Sequence, residues 1–203
     1  MIKKGIIFLV LISGCSKSYT EVFNIALIED TVITFPVINE NFSKAKEINI
    51  YSDTRLNKRH VTAALLKFND ILIPEHYKID SIFLYLYYNA RSGFYKENVE
   101  GHKGLPSLQV YNIKSNWNPK TIAWSDSLEL AEESALAVVK MPFQDIKIEL
   151  SNVLLNNEGL LVSSKGLYLK LKDENRTNYV HLTSLDGYEK QRITKLKVYA
   201  SYN

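Results

Sequence analysis

Cysteine is almost absent from this sequence of 203 residues, because Cys15 is the only one. A disulfide within the chain is therefore excluded. No low-complexity stretch or internal repeat is present, and no apolar run reaches the roughly 20 residues that a membrane-spanning helix needs. A chain of this length buries about 70% of its unfolded surface as a single domain, so it does not need disulfides to fold.

The motifs that mark common enzymes and metal sites are also missing. The sequence has no GxSxG, no HExxH, no glycine-rich phosphate loop and no EF-hand-like run of acids. Its four histidines do not have the spacing of metal ligands; they are His60, His76, His102 and His181. The formal net charge is only +3, which argues against nucleic acid as a partner. We predict a protein that is not an enzyme and needs no cofactor.

The first residues explain the lone cysteine. Lys3 and Lys4 precede an apolar run that ends in Ser13 and Gly14, directly before Cys15. This order of charged, apolar and small residues is typical of a secretory signal. The stretch LISGC further resembles the lipobox of bacterial lipoproteins, which implies cleavage before Cys15 and a lipid on its sulfur. The alternative is an ordinary secretory signal followed by an idle cysteine.

Lipidation sets the predicted domain organisation and location. We expect a signal peptide at 1–14, a lipidated tether at 15–28 and one domain at 29–203. Two or three acyl chains on Cys15 give a stable membrane anchor. No aspartate follows the cysteine, which resembles lipoproteins sent to an outer membrane. The predicted location is the cell envelope, with periplasmic and surface orientations both open.

Beyond the tether the hydrophobic pattern has a period of two, which is typical of β-strands. It is clearest in three segments: SIFLYLYY, KGLYLKLK and ITKLKVYAS. The other predicted strands are DTVITF, EINIY, TAALLKF, LQVYNI, IKIEL and NYVHLTS. We count eight or nine short strands, which predict an all-β, antiparallel β-sandwich. Two segments break the pattern. SNVLLNN predicts a short helix with Ser151 as its N-cap and Gly159 beyond its end, and 128–139 is either a helix or an irregular excursion.

The order of these segments resembles the bacterial DNRLRE domain, a family of secreted jelly-roll sandwiches related to carbohydrate-binding module family 96. The resemblance covers nearly the whole domain and rests on successive motifs: DTVI, AALLKF, IPEHYKIDSIFLYLY, NWNPKTIAW, IELSNVLLN and the closing ITKLKVY. It implies a jelly roll and a uronic-acid polysaccharide as the ligand.

Tyrosines and lysines at outward strand positions are the candidate binding residues. Tyrosine rings pack against the C–H faces of sugars, and lysine suits an acidic polysaccharide. The predicted stripe comprises Tyr85, Tyr87, Tyr168, Lys170, Lys172, Lys197 and Tyr199. The alternative is ordinary packing, since tyrosine favours strands and lysine protects sheet edges. In particular, the 128–139 segment is a candidate to cover Phe83, Tyr85 and Tyr87, whereas Trp117 and Trp124 are expected in the core or under a loop.

A structural calcium ion is the one metal that we consider, because such ions are held by loop oxygens in extracellular sandwiches. Asp30 and Asp186 are its candidate ligands. The predicted function is that of a lipid-anchored, non-catalytic glycan-binding module. The alternative is a structural or adhesive module of the envelope with a protein partner.

Overall fold

The computed structural model describes residues 19–36, 42–54, 59–89, 106–138, 145–187 and 191–202. They form an antiparallel all-β fold with one short helix, which confirms the predicted fold class. The predicted signal peptide and Cys15 lie outside the described residues. No described helix is long and apolar enough to cross a membrane.

Ten strands and one helix are numbered here in chain order. They are β1 Thr20–Phe35, β2 Glu47–Asp53, β3 His60–Phe68, β4 Tyr77–Leu86, β5 Ser107–Ile113, β6 Leu130–Val138, β7 Ile146–Glu149, α1 Ser151–Leu154, β8 Leu167–Leu171, β9 Asn178–Thr183 and β10 Lys195–Tyr202.

The strands form two sheets that share β1. The front sheet has the order β1-β10-β4-β7, and the back sheet has the order β6-β5-β8-β3-β1. Strands β2 and β9 pair with each other, and β2 also pairs with the start of β3. After β4, backbone hydrogen bonds join Thr183 to Tyr87 and Asn89 to His181. The two sheets are therefore linked on both sides around one core.

Strand β1 passes from one sheet to the other at a break in register between Leu27 and Glu29. Its first half pairs with β10 and its second half pairs with β3. A bulge inserts an unpaired residue and bends a strand, and here Ile28 takes that position and is exposed. The predicted tether at 15–28 is consequently too long, because Thr20–Ala26 pairs with β10 in the front sheet.

The alternating pattern correctly predicts which side chains enter the core. On β4, Ile82, Leu84 and Leu86 are fully buried, while the residues between them point outward. The same holds for the leucines of β8 and for Leu196 and Val198 of β10. Burial of each such side chain contributes about 1.5–3 kcal/mol relative to exposure, so this core is the main source of stability.

A second apolar cluster covers the outer face of the back sheet. Ile33, Ala63, Leu65 and Ile113 are buried there. The loop 114–129 packs over them through side chains that include Trp117 and Trp124. These two indole rings therefore belong to the covering loop, half-buried against the second cluster, rather than lying in the core or under a loop. The 128–139 segment does not cover the front sheet, because its residues Leu130–Val138 form β6 at the edge of the back sheet.

The predicted helix at SNVLLNN is present as α1, but its capping differs. Ser151 is the first helical residue rather than the N-cap, which is Leu150. The Ser151 hydroxyl instead accepts a hydrogen bond from the Ile82 backbone N–H, at 3.1 Å. Gly159 lies in the turn after the helix, with φ of 75°.

Candidate functional site

The seven residues of the predicted stripe lie on two different sheets. Four of them lie at the front: Tyr85, Lys197 and Tyr199 share the outer face of the front sheet, and Tyr87 directly follows β4. The other three belong to the back sheet: Tyr168 and Lys170 lie on β8, and Lys172 follows directly after that strand. The prediction of one continuous stripe is therefore wrong, because identical alternation on β4, β8 and β10 does not specify which strands are neighbours.

The outward rings of the front sheet contact one another across neighbouring strands. Phe83 and Tyr199 meet edge to face, with ring centroids 5.6 Å apart. The hydroxyls of Tyr85 and Tyr199 are 3.2 Å apart and hydrogen-bonded. This hydrogen bond is the largest of the effects that raise the pKa of Tyr85 to about 12. We call Phe83, Tyr85, Tyr87 and Tyr199 the front-face rings.

Lysine ammonium groups lie over these rings. Lys147 Nζ is 3.7 Å from the centroid of Phe83, Lys197 Nζ is 4.8 Å from that of Tyr85, and Lys195 Nζ is 5.5 Å from that of Tyr87. Such contacts hold a cation against the negative face of an aromatic ring. We call Lys147, Lys195 and Lys197 the front-face lysines.

The front-face lysines differ from the neighbouring Arg192 in their ion pairing, and Glu149 lies opposite Phe83 on the same face. Among the residues that the structure describes, none of the three forms an ion pair, whereas the nearby Arg192 is paired with Asp145. Lys147 was not among the predicted site residues. Its outward position follows from the alternation in IKIEL, but only the pairing of β7 with β4 brings it to Phe83 and Tyr85.

Tyr168 lies in a different environment, among the side chains of the second apolar cluster. Burial raises its pKa well above the ordinary value of 10, and the negative charge of Glu174 adds to this effect. The covering loop is held by the Trp117 indole N–H, which donates to the Lys165 carbonyl at 2.8 Å. Tyr168 is thus a packing residue of the back sheet.

Lys170 of β8 and Lys172, which follows the strand, also differ from the front-face lysines. Lys170 Nζ lies 3.9 Å from a carboxylate oxygen of Glu174, which is paired with Arg59 as well. Its ammonium is 5.9 Å from the ring of Tyr111. Lys172 is exposed just after the strand. The charge of Lys170 is partly neutralised, and Lys172 has no front-face ring beside it.

Asp30 and Asp186, the candidate calcium ligands, interact but occupy unequal positions. Asp30 is buried, and its carboxylate accepts a hydrogen bond from the Leu185 backbone N–H at 2.6 Å. Burial raises the pKa of Asp30 from 3.8 to about 6, the Leu185 N–H opposes this, and the charge of Asp186 raises it further. Within the described ranges, no three His, Cys, Asp or Glu side chains are grouped to hold a metal ion. Asp30 anchors the 184–187 turn, and calcium binding stays a prediction.

No model of a known protein family matches this chain, and no curated protein matches it. The front-face rings and lysines are therefore the basis on which a function can be argued.

Proposed function

We propose that this chain is a lipid-anchored, non-catalytic module of the bacterial cell envelope that binds acidic polysaccharide on the outer face of its front sheet. The observation that carries the proposal is the set of three ammonium groups, each seated on an aromatic ring and none paired with a carboxylate among the described residues. Cys15 is the proposed lipid attachment point, in an outer-membrane location.

The geometry favours an acidic ligand over a neutral one. A neutral sugar needs a free ring face for stacking, but Lys147 already occupies one face of Phe83, and Lys197 lies over Tyr85. An acidic sugar needs no such displacement, because its carboxylate meets the ammonium groups where they stand. The aromatic rings then position the charges, and the tyrosine hydroxyls are available to hydroxyl groups of the sugar.

The spacing of the lysines supports a chain ligand rather than a single sugar. Lys195 and Lys197 lie two residues apart on β10, and Lys147 lies on β7, with β4 between these strands. Residues i and i+2 of a strand are about 6.5–7 Å apart. Charges distributed over this distance suit successive carboxylates of a polyuronate, and a monosaccharide reaches fewer of them.

Affinity gel electrophoresis and calorimetry test the proposal, with polygalacturonate and alginate as acidic polymers and dextran as the neutral one. We expect retention by the acidic polymers and none by dextran. Replacing the three front-face lysines with glutamine removes three contacts of about 0.7 kcal/mol each, which corresponds to about 30-fold weaker binding. High salt is expected to weaken binding as well, because exposed charges are screened.

The matched control replaces Lys170 and Lys172 with glutamine on the back sheet. Lys170 is an outward residue of β8 and Lys172 follows that strand directly, and both lie away from the front-face rings. We expect their loss to change the affinity less than about twofold. Equal losses from both sets of substitutions would contradict a site on the front face. A lack of binding to every acidic polymer, with folded protein, would remove the function itself.

A protein partner is the second candidate function, and β6 is the feature that favours it. This strand ends the back sheet, and its Leu136 and Val138 side chains are about half exposed. Exposed apolar side chains on a sheet edge are typical of interaction sites. A photo-crosslinker at Leu136 that captures one envelope protein, in a chain that binds no polysaccharide, would favour this alternative.

A further inference from the structure

One end of the molecule carries a concentration of exposed apolar and aromatic side chains. Four large ones lie there, with exposed fractions of 69% for Tyr19, 81% for Leu72, 58% for Leu160 and 63% for Tyr202. They come from four separate parts of the sequence. Together with His76 and Tyr77 they form what we call the apolar end.

Direct contacts connect these residues. The Tyr202 backbone N–H donates to the Tyr19 carbonyl at 3.4 Å. The Tyr202 ring lies 5.3 Å from His76 and 5.8 Å from Tyr77, measured between ring centroids. Tyr77 in turn lines one groove of about 810 Å³ with Leu72 and Leu160. The apolar end is consequently a continuous surface rather than a set of scattered side chains.

The apolar end is also where the described chain begins. Tyr19 lies four residues after Cys15, and an extended chain covers at most about 3.6 Å per residue, or about 14 Å in total. A lipid on Cys15 must therefore hold this end within about 14 Å of the membrane surface. The opposite end of β1, at Phe35, lies up to about 50 Å further along the strand.

We propose that the apolar end rests on the lipid bilayer and inserts its exposed leucine and tyrosine side chains into the headgroup boundary. This inference rests on the proposed lipidation of Cys15. Tyrosine suits this position because its ring is apolar and its hydroxyl stays hydrated. The surface is shallow, so it orients the protein, while the acyl chains supply the anchoring.

Charge at this end indicates an apolar contact rather than an electrostatic one. The groove between Leu72 and Leu160 is bordered by Glu75, Glu158 and Lys78. Two acidic residues and one basic residue give no attraction to anionic lipid. The contact therefore does not depend on phosphatidylglycerol and is insensitive to salt, in contrast to the front face.

The orientation that follows connects the two proposals. Strand β10 runs from Tyr202 at the apolar end to Lys195, and Tyr199 and Lys197 lie between them. With the apolar end on the bilayer, the front-face rings and lysines extend away from the membrane along this strand. A polymer bound there lies alongside the protein above the lipid surface.

The test places a fluorophore at single sites of the acylated full-length protein in phosphatidylethanolamine and phosphatidylcholine vesicles. Acylation uses the Cys15 sulfur, the only one from cysteine, so an introduced cysteine is the sole free thiol. Leu72→Cys and Leu160→Cys report on the apolar end. Lys172→Cys is the control, because Lys172 follows β8 on the side of the back sheet nearest Phe35.

We expect nitroxide-bearing lipids to quench the labels at 72 and 160 at least about threefold more than the label at 172, given insertion to a depth of about 5–10 Å. Equal quenching at all three sites, in protein whose mass shows the acyl chains, would overturn the inference and leave the anchor intact. A mass without acyl chains would overturn the proposed anchor and this orientation together.

Discussion

The outer faces of the two sheets carry the same kinds of side chain but differ in what packs over them. Both have tyrosine and lysine at outward strand positions, with Tyr85 and Lys197 in front and Tyr168 and Lys170 behind. The front rings have no described segment packed over them and bear lysine ammonium groups, whereas Tyr168 lies in a second apolar cluster under a loop. An outward tyrosine therefore belongs to an open face or to a packed cluster according to what lies above it.

The cause of this difference is visible in β3. Residues Val61–Leu66 are all buried, so this strand is apolar on both faces. Strands with continuous apolar runs are typically covered on both sides. On the front sheet, β10 instead alternates strictly, with Lys195, Lys197 and Tyr199 outward. The outer face of the back sheet is therefore apolar, and the loop 114–129 packs over it.

At the covered face of the back sheet, the largest loss of stability is expected from the replacement of Gly166. Its φ is 136°, and an added Cβ would lie 2.5 Å from the Leu66 carbonyl oxygen and 3.1 Å from Trp117 Nε1. Backbone strain and overpacking each cost about 1–3 kcal/mol. We expect Gly166→Ala to lower the free energy of unfolding by about 4 kcal/mol, measured by urea denaturation.

Gly159→Ala is the matched control for that substitution. Gly159 also has a positive φ, of 75°, but nothing lies within 4 Å of an added Cβ. Only the conformational cost remains, so we expect a loss of about 1 kcal/mol. Equal losses of stability from the two variants would contradict the view that the close approach of Gly166 to β3 and Trp117 keeps the loop 114–129 in place.

Asp30→Asn tests the buried carboxyl group of β1, just after this strand passes from the front sheet to the back sheet. The pKa of Asp30 is 3.8 ordinarily and about 6 in the fold, so its protonated form is favoured by folding. That contribution is complete below about pH 3.8 and is lost as the pH rises through about 6. The asparagine oxygen still accepts the Leu185 N–H. We expect stabilisation of about 2 kcal/mol at pH 7.5 and almost none at pH 3.5, measured by urea denaturation.

Asp186→Asn is the control, because Asp186 is exposed, and we expect less than about 0.5 kcal/mol at either pH. Stabilisation by Asp30→Asn that does not change with pH would contradict this account of the buried carboxyl group. Calcium is tested separately, by the melting temperature. A melting temperature that rises with added calcium in the original protein, but not in Asp30→Asn, would support the predicted metal site.

The smallest expected effect is that of Tyr199→Phe on the front face. It removes the hydrogen bond that is the largest cause of the raised pKa of Tyr85. We expect the pKa of Tyr85 to fall from about 12 toward 10, with a stability change below about 0.5 kcal/mol. Alkaline titration by NMR of the tyrosine rings measures both faces at once, because the pKa of the half-buried Tyr168 is expected to stay raised. A fall for both tyrosines would mean that the faces are coupled.

The stability contribution of the raised tyrosine pKa values has a defined pH window. Ionisation is harder in the fold than in the unfolded chain for both Tyr85 and Tyr168. The contribution is therefore complete below about pH 10 and is lost as the pH rises above it. Alkaline destabilisation is expected at the covered face, since burial against the second apolar cluster is the largest cause of the raised pKa of Tyr168.

Much of the fold was predictable from residue patterns. Nine of the ten strands contain a segment recognised by its period of two or by its β-forming composition, and SNVLLNN contains the predicted helix. The exception is β6, where Glu132 and Glu133 are exposed and the apolar pattern of LAEESALAV is weak. Such a strand is defined by pairing with β5, and pairing partners lie outside any local pattern.

The site was predictable only in part, for the same reason. Alternation correctly assigned Tyr85, Lys197 and Tyr199 to outward positions. It did not reveal that β10 lies between β1 and β4, nor that β7 adds Lys147 beside them. It also did not separate Tyr168 from this group, because covering by a loop depends on contacts between residues distant in sequence.

The sequence alone determined which side chains face the core, since the side-chain period of a strand is local and equals two. It also shows a single cysteine just after a short apolar run, and the proposed lipid anchor rests on that feature. Only the tertiary structure decided which outward residues meet, which face is covered and which end carries the exposed leucines. The physical reason is that strand order and register arise from burial of the whole core, to which every strand contributes at once.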